Sequence, residues 1–102
     1  LPVACFRPLG APMPESMERR YVSQMWSGGE LAFTDPVPGD TFRSIGEVDA
    51  HCARRFGPAW RAAALGDGMH NMGVSGFGDG RRLSSRAWVD VVNSPYATCW
   101  TR

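Results

Sequence analysis

"SIGEVDAHCARRFGP", residues 44–58, carries the clearest structural signal in the chain, and its reading fixes how the neighbouring segments are arranged. Ser44 and Glu47 form a capping box. The hydroxyl accepts from a backbone N–H of the first turn, and the carboxylate reaches back to the incoming backbone. Ile45, Val48, Cys52 and Phe56 then fall on one helical face, with Glu47, Arg54 and Arg55 outside it. Gly57 supplies a left-handed cap and Pro58 bars a further turn. The segment is therefore an amphipathic helix.

On its C-terminal side, "AWRAAAL" (59–65) is short, apolar and bounded by Gly66, which suits a buried strand. "RAWVDVV" (86–92) alternates, with Trp88 and Asp90 on one side and Val89 and Val91 on the other. "NSP" (93–95) is a turn, and "YATCWTR" (96–102) reads as a final strand pairing back. On the N-terminal side, "DPVPGD" (35–40) is a loop. Before it, two apolar segments flank Ser27-Gly28-Gly29. They predict a hairpin of Tyr21–Trp26, a Gly-Gly turn and Glu30–Thr34. A helix from Glu15 to Met25 competes with it, because Met17, Tyr21 and Met25 recur every four residues. Residues 1–16 hold Pro2, Pro8, Pro12 and Pro14 and read as an extended, Pro-rich arm. The expectation is that arm plus a single α+β domain over 17–102. In it, one amphipathic helix packs on a small antiparallel sheet with a long Gly-rich loop.

Size and charge narrow the classes of function. A chain of 102 residues and 11.2 kDa is one domain, small enough for a covalent staple to matter. Hydrophobic residues at 43% and charges at 21% describe a globular chain rather than a disordered one. All eleven basic residues are arginine, and they alternate with ten acids to a net charge of +1. That pattern leaves no basic stripe for a phosphate backbone, so nucleic acid is not an expected partner. No apolar run approaches the roughly 20 residues that span a bilayer. The opening "LPVACFRPLG" lacks a basic n-region and a long apolar stretch, so it is not itself a signal peptide. "LPVAC" loosely resembles a bacterial lipoprotein processing site, with Pro2 where an aliphatic residue is preferred. A lipid anchor on Cys5 is accordingly a minor expectation.

Cys5, Cys52 and Cys99 contain no C-x-x-C pair, which excludes zinc-ribbon, thioredoxin-like and c-type haem arrangements. One disulfide with one leftover thiol is the simplest use. Cys52 lies on the buried helix face and Cys99 in the last expected strand, so Cys52–Cys99 is the expected bridge. Closing a loop of that length is worth about 4 kcal/mol. The opposing reading is a reduced protein in which buried cysteines act as small hydrophobes.

"EVDAHCARRFGPAWRAAAL" (47–65) followed by "RAWVDVVNSPYATCW" (86–100) resembles the long-loop region of C-type-lectin-like domains. There an early helix cysteine bridges to a cysteine of the last strand, across a long irregular loop. The chain also resembles a set of small secreted bacterial proteins of unknown function. Their pattern meets Cys52, Phe56, Gly57, Trp60, Arg61 and Ala63, then Asp67, Gly68 and Phe77. It ends on Arg86, Trp88, Val89, Cys99 and Trp100, so the match spans roughly 27–102. The resemblance implies export and a compact α+β module, and it implies no reaction. The calcium-binding tripeptides of the lectin-like domains have no counterpart here.

"GDGMHNMGVSGFGDGRR" (66–82) is the richest candidate site. A dinucleotide fingerprint fails, because Asn71 and Arg81 stand where a third glycine is needed, and no GK[ST] is present. An EF-hand starting at Asp67 meets Met69, Met72 and Gly78 at ligand or turn positions. A looser calcium site from Asp67, Asn71 and Asp79 is a minor alternative, since Asp-Gly pairs are turn formers first. For zinc, His51 and Cys52 are neighbours on a helix and point about 100° apart. His51 therefore reads as a solvent-facing residue and the isolated His70 as part of the loop. Ser75 and Ser84-Ser85 lack a nucleophile elbow, and a Cys–His dyad would need Cys5 or a reduced Cys52.

No catalytic residue, cofactor or enzymatic activity is expected. Trp60, Trp88 and Trp100 read as core, and Trp26, beside the Gly-Gly turn, as the exposed tryptophan. Trp26, Phe77, Arg81 and Arg82 form the expected partner-binding surface, aromatic and arginine side chains being enriched at interfaces. The functional expectation is an exported, non-enzymatic module, secreted or periplasmic, acting as an accessory subunit in an envelope or extracellular assembly. Its alternative is a calcium- or carbohydrate-binding lectin-like module that uses the 66–82 loop.

Overall fold

The structure, a computed structural model, describes residues 1–13, 15, 26–64, 67, 75–78 and 87–89. Among the described residues one α-helix, α1, forms at Ile45–Phe56. Ser44 Oγ accepts from the Glu47 N–H at 3.3 Å, one half of the expected capping box, and the Glu47 carboxylate accepts from the Arg43 N–H, one residue before the Ser44 N–H that a full box uses. Val48 and Cys52 are wholly buried, and Ile45 and Phe56 pack against the same core. Gly57 ends the helix at φ 133, ψ 164, a region open essentially to glycine alone, rather than in the left-handed helical well.

Among the described residues four strands form a mixed sheet in the order β3-β1-β2-β4: β1 Ala4–Arg7, β2 Trp26–Phe33, β3 Arg61–Ala62 and β4 Ser75–Phe77. The first pairs antiparallel with β2 and β3, whereas β2 and β4 run parallel, so the sheet is not the purely antiparallel one expected. The larger departure is β1 itself. The first residues of the expected arm are a central strand. Val3 and Cys5 face the core under α1, and Ala4 and Phe6 pack on the opposite side with Ala63, Leu31, Phe33, Ala87 and Val89. A strand covered on both faces has no polar side, so it shows an unbroken apolar run instead of alternation. The following Pro-rich residues return along β2. Ala11 N–H donates to the Gly28 carbonyl at 2.8 Å, and the Trp26 Nε1–H donates to the Ala11 carbonyl at 3.0 Å.

The expected Gly-Gly hairpin is absent, because β2 runs straight through Ser27-Gly28-Gly29. Gly28 takes φ 75 within the strand, and the β2–β4 register slips there, Trp26 pairing with Ser75 and Glu30 with Phe77. The glycines thus bulge a strand where a turn was expected. The first hairpin arm and the competing helix lie outside the described residues, apart from Glu15 and Trp26.

The strand expected over 59–65 is present at Arg61–Ala62. Trp88 bridges Val3 in parallel, its N–H donating to the Pro2 carbonyl at 2.8 Å and its carbonyl accepting from Ala4 N–H at 3.0 Å. Together Trp88 and β3 cover one edge of β1. The alternation read over 86–92 holds where it is described: Trp88 packs on the helix side and Val89 on the other. The final strand expected over 96–102 lies outside the described residues.

A disulfide joins Cys5 to Cys52, with Cα atoms 5.7 Å apart and a sequence separation of 47. This corrects the expected Cys52–Cys99 bridge. Cys5 projects from the central strand toward the helix stripe that carries Cys52, so the helix is stapled to its own sheet. It also removes the lipid expectation for Cys5, whose sulfur is spent in the bridge. Cys99 lies outside the described residues. Among the described residues no helix is long and apolar enough to cross a membrane.

Candidate functional site

The exit from α1 builds an open, apolar groove. Gly57 and Pro58 reverse the chain, and Trp60 N–H donates back to the Gly57 carbonyl at 3.0 Å. That return sets the Trp60 ring 5.1 Å from Phe56, tilted by 41°. Beneath them lies the helix-side face of β1 and β2, where Arg7 is in register with Glu30. Arg7 Nη2 lies 3.0 Å from Glu30 Oε1, and its guanidinium stands 5.7 Å from the Trp60 ring centre. The result is a groove of about 230 Å³ lined by Glu30, Leu31, Ala32, Phe56, Trp60 and Gly78.

The rim of the groove carries Phe77, next in sequence to Gly78, in β4. Its side chain is 44% exposed although it meets Trp26 edge-on at 5.2 Å. Trp26 itself is only 9% exposed. The expectation of an exposed, partner-facing Trp26 is therefore corrected: with no turn at Gly28-Gly29, the ring stays in the sheet and its Nε1–H is spent on Ala11. Of the expected partner surface, Phe77 is the exposed member, and Arg81 and Arg82 lie outside the described residues.

In the Gly-rich stretch, of which Asp67 and 75–78 are described, Ser75–Phe77 form β4 rather than loop, and Asp67 is tied to β3. Arg61 Nη1 and Nη2 reach Asp67 Oδ2 and Oδ1 at 3.0 and 2.6 Å, and the Ala64 N–H donates to Oδ2 at 2.8 Å. A bidentate guanidinium and a backbone donor thus occupy both oxygens of this carboxylate. Asn71 and Asp79 of the minor calcium set, and His70, lie outside the described residues. Among the described residues no three His, Cys, Asp or Glu side chains gather as metal ligands. Asp67→Ala is expected to cost about 2 kcal/mol, since it strands the buried Ala64 N–H and releases a half-exposed Arg61. Urea unfolding of the two proteins measures it, and an unchanged midpoint refutes the clasp.

His51 is also placed differently from its expected solvent-facing position. The single 3₁₀ turn at Gly39–Thr41 brings Phe42 over the helix, 5.1 Å from the imidazole centre, and the ring is half-buried.

The groove's Glu30, Leu31, Ala32 and Phe56 were not site candidates in the sequence. One signal did point to Phe56 and Trp60: they flank the helix stop at Gly57-Pro58 and meet when the chain reverses. Fold and groove together define a small, disulfide-stapled α+β domain. No protein-family model, no curated protein and no solved structure matches the chain.

Proposed function

We propose that this chain is an exported, non-enzymatic binding module, an accessory subunit that contacts a protein partner in an envelope or extracellular assembly. The observation that carries this reading is the exposed Phe77 on the outermost of the described strands, beside the Phe56–Trp60 groove. A large apolar ring at a strand edge is a feature that soluble domains usually cover. The partner fitting it presents an extended segment along β4, with main-chain pairing for affinity and an apolar side chain for the groove. The Cys5–Cys52 bridge supports an oxidising compartment, secreted or periplasmic.

The lectin-like alternative draws less support. Its implied bridge runs from the helix to the last strand, whereas Cys52 bonds to the first strand. Asp67, the described member of its ion set, is held by Arg61 and Ala64.

A photo-cross-linking residue at position 77, compared with one at the exposed Asp40, tests the proposal in the producing cell. The expected result is a discrete protein adduct from position 77 that is absent from position 40 and lost on Trp60→Ala. No adduct from position 77, with the native chain eluting as a monomer, overturns it.

A further inference from the structure

A second cavity, of about 430 Å³, lies on another face of α1 and is lined by Thr41, Phe42, Glu47, Ala50, His51 and Arg54. Glu47, Ala50, His51 and Arg54 recur at three- and four-residue spacing, so they share one side of the helix. Val48 and Cys52 share another, turned to the core. The Thr41-Phe42 turn forms the facing wall. Volumes of this order hold small ligands.

The charges of the cavity are unequal. Glu47 is occupied at the helix start, its carboxylate accepting from the Arg43 N–H. Arg54 stands two turns further on, about 10 Å along the axis. It is exposed and has no salt-bridge partner among the described residues. Between them sits His51, whose Nε2 is buried with no hydrogen-bond partner among the described residues. An unpartnered buried ring nitrogen is costly, and native structures rarely keep one without a use. Phe42 and Ala50 offer apolar surface beside it. The cavity thus has a cationic end, a polar group lacking a partner and an apolar wall.

We infer that this cavity binds a small organic anion. Its carboxylate sits at the Arg54 end, where the guanidinium gives a planar pair of donors. The half-buried His51 forms part of the wall between the two ends. The ligand's apolar body lies against Phe42 and Ala50, and the capped Glu47 repels the carboxylate from the other end. This site is separate from the Phe77 groove and stands or falls independently of it.

Titration with benzoate, followed through the backbone amide resonances, tests it. The expected result is saturable shifts at Thr41, Phe42, Ala50, His51 and Arg54. Arg54→Gln, an exposed substitution, leaves the melting temperature unchanged and weakens benzoate at least about tenfold, the loss of one charge-assisted contact. Benzyl alcohol lacks the charge, and acetate and inorganic phosphate lack the apolar body, so all three bind more weakly. The inference is overturned by no saturable shift with benzoate or by equal benzoate affinity in Arg54→Gln. It is equally overturned if acetate or phosphate binds as tightly as benzoate.

Discussion

The double variant Cys5→Ala/Cys52→Ala is expected to lose about 4 kcal/mol of unfolding free energy, the chain-entropy value for a bridge spanning 47 residues. Typical domains hold only about 5–15 kcal/mol in total, and small ones bury a smaller share of their surface. The variant should therefore lie close to the folding threshold. The bridge does more than shorten the unfolded chain. Cys5 and Cys52 are both fully buried in the cluster that holds Val3, Val48, Phe42 and Ala62, so the bond ties the central strand to the helix stripe. Urea unfolding without reductant measures the loss. Peptide mapping of the wild-type chain should recover Cys5 and Cys52 in one linked species. A Cys52–Cys99 peptide, or a midpoint unchanged in the double variant, contradicts the expectation.

How much of this was legible in the sequence follows from what each element depends on. The helix depends on local chemistry, and Ser44, Glu47, Gly57 and the Val48–Cys52 stripe were sufficient to place it. The alternation of Trp88 and Val89 was legible for the same reason: neighbouring residues face opposite sides. The strand Ala4–Arg7 was not, because its burial is set by partners far along the chain. Flanked by Pro2 and Pro8 and apolar on both faces, it carries neither a period nor a turn signal of its own. The bridge was misread as a consequence. Once Val3–Phe6 is taken for an arm, Cys5 is removed from the core and Cys99 becomes the default partner. The groove is partly legible at Phe56 and Trp60, but Leu31, Ala32 and Gly78 join it only through the pairing of β2 with β1 and β4.

Gly29→Ala is the second substitution with a large expected effect, and its cause lies in the strand that the sequence read as a turn. A Cβ built at Gly29 falls 2.6 Å from the Phe6 ring and runs into the Arg7 carbonyl oxygen. A side chain alone would yield by a rotamer change, but the carbonyl belongs to β1. Relief therefore requires β1 and β2 to separate at the Phe6–Leu31 and Arg7–Glu30 pairs. Overpacking that moves backbone costs about 3 kcal/mol. The same change at Gly46 should act in the opposite direction. Its Cβ meets only Ser44 Oγ, at 3.8 Å, and alanine in a helix is favoured over glycine by about 0.5–1 kcal/mol. Gly10→Ala separates conformation from crowding: nothing lies within 4 Å, but φ is +63, so about 1–2 kcal/mol is lost to backbone strain alone. Thermal melts of the three variants should rank Gly46→Ala above wild type, then Gly10→Ala, then Gly29→Ala. A Gly29→Ala protein as stable as wild type would mean that Ser27-Gly28-Gly29 turns the chain after all. The groove would then lose the β2 floor that Glu30 and Ala32 provide beneath Phe56 and Trp60.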